Sequence, residues 1–156
     1  MIQVLAYLYR LAAGLLLGAQ VYFAAVAAPA AFPREVAALP AGSPLRTAAA
    51  DLVGRQLESL DRMTVLFCAV AALCAIGLAR AGMAGARKAA VPALLAGLCA
   101  LVSSSWVTPR IHALREAART SFPEFGRLHA LSTALVGVEI LLLAAALWVA
   151  PAPVKG

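Results

Sequence analysis

Glu139 is the residue whose position asks most for a chemical explanation. It lies about ten residues inside the apolar run that begins near Ala130. If that run crosses a bilayer, the carboxyl sits near the midplane, where an unpaired charge costs several kcal/mol. It must then be protonated, paired or in contact with water. Gln20 lies at a comparable depth in the first apolar run, which travels in the opposite direction. A neutral Glu139 bonded to Gln20 is the reading preferred here, as polar glue between helices. A proton or ion relay comes second and the lining of a ligand cavity third.

A second set gathers around the connection between the third and fourth apolar runs: Arg110, His112, Arg115, Arg119, Arg127 and His129. His112 and His129 are of a type that binds haem iron or copper. No Met or Cys stands beside them, so no metal and no cofactor is expected. His129 and Arg127 are expected instead to cap the interfacial turn or to bond carbonyls freed at Pro109 and Pro123. The arginines also suit an anion or a lipid headgroup. Ser103, Ser104 and Ser105 are expected to bond back to their own helix. Neither GxSxG, HExxH nor a glycine-rich phosphate loop occurs, so an enzyme is not expected.

The elements that must hold these residues follow from composition. The 156 residues are 63% hydrophobic and 13% charged, against about 25% charged in soluble domains. A chain this short cannot bury that much Ala, Leu and Val away from water. Lipid is therefore its expected surroundings. The net charge of +6 does not indicate nucleic acid, because the basic residues stand singly between apolar runs. Cys68, Cys74 and Cys99 all lie in apolar runs without metal spacing and read as small core residues.

The reading is all-α, a single domain over residues 1–156, in which four transmembrane helices form a bundle. The spans cover about 11–31, 63–78, 89–107 and 130–150. Residues 2–9 extend the first helix, with Tyr7 and Tyr9 suited to the aromatic belt, and Pro29 and Pro33 end it. Ala28-Pro29-Ala30 has the look of a signal-peptide cleavage site, but no basic residue precedes Arg10 and retention is expected. Residues 34–43 read as a loop.

Ser43-Pro44 then opens a helix with no stop before Gly82, about 37 residues and roughly 55 Å long. Its first part is amphipathic, with Val53, Leu57, Leu60 and Thr64 on one stripe. Asp51 and Arg55, and Glu58 and Arg62, are spaced as helical ion pairs. Pro109 restarts or kinks the third helix. Ser121-Phe122-Pro123-Glu124 reads as a capping box that starts the fourth. Spans two and four thus carry helical extensions beyond the bilayer on one side. The basic link 80–88 favours both termini in the cytoplasm.

TPRIHALREA (108–117), FGRLHALSTAL (125–135) and VYFAAVAAPAAF (21–32) together resemble the transmembrane protein 205-like family, also described as domain of unknown function 4149. The resemblance departs at Val136, where that family often has Asn. It implies a small four-span membrane protein and supplies no mechanism; the function expected for the chain itself is that of a small transporter or a resistance-related membrane protein. An accessory subunit of a larger membrane complex is the alternative, and a haem- or copper-binding protein is ranked below both. A transporter of four thin helices would be expected to oligomerise.

Overall fold

The computed structural model describes residues 1–40, 42–117, 120 and 122–150. Among them, four helices are long and apolar enough to cross a membrane: Ile2–Ala31, Pro44–Arg80, Ala86–Glu116 and Pro123–Trp148. These are spans one to four of an all-α bundle. Each packs against two others: one on two, two on three, three on four, and four back on one. Spans one and three, and likewise two and four, therefore face each other diagonally.

Span two has the full 37 residues from Pro44 to Arg80. Ser43 starts it, its hydroxyl accepting the Arg46 N–H at 3.3 Å, with proline at the first helical position. Its end is a Schellman turn. Gly82, at φ 81°, lets the Met83 N–H reach the Leu78 carbonyl and the Gly82 N–H reach that of Ala79. Met83 then packs beside Leu78, closing the cap with an apolar contact.

Prolines disturb spans one and three less than their chemistry suggests. Pro29 does not end the first helix, which runs on to Ala31 and breaks at Phe32-Pro33. Directly before Pro29 the helix widens into a π turn, Phe23–Ala27, and an equivalent turn, Ser103–Val107, precedes Pro109. Proline lacks an N–H and its ring collides with the carbonyl four residues back. A wider turn accommodates both problems within a continuous helix. Residues 34–43 hold one short helical turn, Arg34–Ala37, where a loop was expected. The expected capping serine, Ser121, lies outside the described residues. Span four begins at Pro123 with Phe122 as its N-cap residue, which moves Glu124 one position too early for the box.

Alanine makes the spans approach closely. Ala71, Ala75, Ala89, Ala93, Ala96 and Ala100 are all buried along the seam of spans two and three. A Cβ placed on Gly97 would stand 3.0 Å from the Cys68 Cβ. Cys68 and Cys74 fill this core as small apolar groups, and both are free thiols. Tyr9 is not in an aromatic belt. It is fully buried, and its hydroxyl reaches the carbonyls of Ala89 on span three and Ala146 on span four, each at 2.9 Å. Of the two tyrosines expected in the belt, Tyr7 is exposed.

The expected extension of span two exists, and it packs against an extension of span three. The Arg115 guanidinium donates to the Ala50 carbonyl at 3.1 Å, over Gly54, where a Cβ would stand 3.1 Å from Arg115 and in ordinary contact with His112. Of the two helical ion pairs expected on span two, Arg62 and Glu58 meet, whereas Asp51 and Arg55 do not.

Candidate functional site: a buried polar centre

One level of the bundle interior is polar. Gln20 from span one, Asp61 and Thr64 from span two, Ser103 from span three and Glu139 from span four are all inaccessible to solvent. Helical periodicity explains the placement. Thr64 follows Leu57 and Leu60 on the inward stripe, and Asp61 stands between them on the same face. Ser103 continues the inward row of Ala89, Ala93, Ala96 and Ala100. It is also the first residue of the π turn, whose extra residue brings both Val107 and Thr108 inward.

Gln20 links three spans. Its amide nitrogen donates to Glu139 Oε2 at 2.5 Å and to Thr64 Oγ1 at 3.1 Å. Thr64 in turn donates to the Leu60 carbonyl at 2.9 Å. The Ser103 hydroxyl lies beside the Asp61 carboxyl without reaching hydrogen-bond geometry, and Asp61 and Glu139 are close enough to interact electrostatically.

These contacts leave several buried oxygens without a partner. Gln20 Oε1, both carboxyl oxygens of Asp61, Ser103 Oγ and Glu139 Oε1 are buried and have no protein partner, as is Thr108 Oγ1 one turn further along span three. Every one of them is an oxygen. Buried polar atoms in native proteins are almost always satisfied. An interior with two carboxyl groups and no Lys, Arg or His among its buried members is therefore suited to taking up positive charge.

Asp61 was missed in the sequence because its segment reads as a water-exposed extension. A signal was present. Asp51 and Glu58 each have an arginine four residues on, whereas Asp61 is followed at that spacing by Val65 and preceded by Leu57. Ser103 differs from its neighbours in the same way. Ser104 and Ser105 bond back to the Leu101 carbonyl, while Ser103 turns to the bundle interior.

The basic set is gathered only in part. His112 and Arg115 lie over Gly54. Arg115 also sits 6.0 Å from the Phe125 ring, on which His129 stacks at 6.2 Å. Arg110 covers Trp106 at 4.4 Å, and Arg127 is exposed. Arg119 lies outside the described residues. The backbone carbonyl that this set holds is that of Ala50, on span two, not one released by Pro109. No group of three or more His, Cys, Asp and Glu side chains comes together among the described residues. A groove of about 330 Å³ lined by Ala75, Ile76, Arg80 and Arg87 lies towards the other end of span two and shares no residue with the polar centre.

A family model described as domain of unknown function (DUF4149) matches residues 11–120. That match does not extend to the transmembrane protein 205-like name. No curated protein and no solved structure matches the chain.

Proposed function

Since the chain belongs to the DUF4149 family, whose description assigns no activity, we propose a function from the polar centre: a small transporter in which Asp61 and Glu139 carry a cation through the bundle in exchange for protons. One observation supports this above the others. Both oxygens of Asp61 are buried without a partner, at the level where Glu139 is already held by Gln20. Polar glue accounts for the bond between Gln20 and Glu139. It does not account for a second carboxyl whose neighbour, the Ser103 hydroxyl, falls short of hydrogen-bond geometry, because a buried ionisable group so weakly held is costly in membranes as in soluble cores. Transport gives that cost a purpose, since an ion must be taken up and then released.

On this proposal the chain is not an enzyme, and both termini face the cytoplasm, with the basic link 80–88 on the same side. The test is a flux assay in proteoliposomes holding a pH-sensitive dye, with Na⁺, K⁺ and Mg²⁺ salts outside. Wild-type protein should change the internal pH, and Asp61→Asn and Glu139→Gln should reduce the rate to that of protein-free vesicles. Wild-type flux unaffected by both substitutions, or no wild-type flux at all, would overturn the proposal.

A further inference from the structure

We infer that the polar centre binds one hard divalent cation in exchange for two protons, using Asp61, Glu139, Gln20 Oε1 and Ser103 Oγ. This rests on the transport proposal and names its ion. The first argument is the donor set. The unpartnered atoms are carboxyl, amide and hydroxyl oxygens, ligands that suit Mg²⁺, Ca²⁺ and Mn²⁺ rather than metals favouring nitrogen or sulfur. Two of the contributors are not acids. Gln20 and Ser103 are wholly inaccessible to solvent, and each presents a free oxygen within the same polar layer. The amide of Gln20 is oriented by its nitrogen, which is committed to Glu139 and Thr64 and so leaves Oε1 available.

Charge is the second argument. Two carboxylates in a medium of low dielectric need two positive charges. Two protons supply them, and so does one divalent ion. A monovalent ion would leave the second carboxyl protonated and exchange for one proton, so the number of protons released tells the two cases apart. The charged group acting on the pair from outside it is acidic: Glu58 acts on Asp61, and the nearby thiols Cys68 and Cys99, themselves influenced by Glu139, carry no positive charge. Arg62, beside Asp61 in sequence, is turned outward to Glu58. Nothing in the centre can therefore replace the incoming charge. The exchange balances as two carboxylic acids losing two protons while two metal–carboxylate contacts form, so no net charge moves.

The experiment uses purified full-length protein in nanodiscs of zwitterionic lipid, with Mn²⁺ as the probe. Loss of the free-ion electron paramagnetic resonance signal reads binding, and a dye in weak buffer reads proton release. One Mn²⁺ per chain with release of about two protons is expected, because two carboxyl groups must ionise. Mg²⁺ or Ca²⁺ should displace Mn²⁺, whereas equal Na⁺ should not. Asp61→Asn and Glu139→Gln should each abolish binding, with Asp61→Glu restoring it and Asp51→Asn leaving it intact. Absence of wild-type binding, displacement by Na⁺, or binding that survives in both variants overturns the inference. If Mn²⁺ does not bind but the flux still depends on Asp61 and Glu139, the ion is misassigned and the transport proposal stands. If Mn²⁺ binds without flux, the site is real and the transport proposal fails.

Discussion

Replacing Tyr9 by phenylalanine removes one oxygen atom from the bundle and tests how its first, third and fourth spans are tied. The ring is retained, so the apolar packing around Ala12, Ala75, Ala93 and Ala146 is unchanged. What is lost is a single proton shared between two carbonyls, those of Ala89 and Ala146, each 2.9 Å away. The two losses are unequal. Ala89 lies inside a helix, where its own helix supplies a donor. Ala146 lies in the last turn of span four, where carbonyls lack helical donors, and the Ala150 N–H that could serve it turns to Leu147 instead. An interhelical hydrogen bond in a membrane is worth about 0.6 kcal/mol on average and up to about 1.7. A carbonyl left buried without a donor costs about 1–3 kcal/mol. The overlap of these ranges gives an expected loss of about 1.5 kcal/mol. Reversible unfolding in mixed micelles, followed by helical circular dichroism against the mole fraction of SDS, measures it. Tyr7, 65% exposed, is the control, and Tyr7→Phe should stay within about 0.5 kcal/mol of wild type. A Tyr9→Phe protein as stable as wild type, or a Tyr7→Phe protein equally weakened, would refute the assignment of Tyr9 as the tie.

Two further outcomes are expected. Gly97→Ala should destabilise the bundle by about 1–3 kcal/mol, as overpacking does, because its methyl would stand 3.0 Å from the Cys68 Cβ. The same unfolding assay should show rescue by Cys68→Gly but none by Cys68→Ala, which keeps the colliding carbon; rescue by both would place the clash at the sulfur. In a cysteine-free background, a cysteine introduced at Gly82–Gly85 should resist a membrane-impermeant reagent in intact cells, and one at Ser121 should react. The reverse pattern would invert the orientation while leaving the four spans in place.

Helix ends with local chemistry of their own were legible in the sequence. Ser43-Pro44 and Gly82 bound span two because a hydroxyl cap and a positive φ act within a few residues. Features that depend on a neighbouring span were not. Tyr9 reads as an interfacial aromatic until the Ala89 and Ala146 carbonyls are brought beside it. Pro29 reads as a helix end because its missing N–H is visible and the π turn that absorbs it is not. The polar centre was half legible. Gln20 and Glu139 stand out as polar residues in apolar runs. Asp61 is surrounded in sequence by charged residues, its apolar neighbours four residues away are a weak signal, and the packing of spans one, three and four is what places it inside.

The ring of four spans also has a consequence for the order in which the protein is made. Spans emerge from the ribosome one after another, from the N-terminus. Gln20 and Tyr9 belong to the first, yet one of the two groups each binds, Glu139 and the Ala146 carbonyl, belongs to the last. Until span four inserts, the ring is open along one side, and Gln20 and Tyr9 have only their partners on spans two and three, Thr64 and the Ala89 carbonyl. Closure of the ring therefore waits for span four, and a chain that ends before it lacks the groups that complete both bonds.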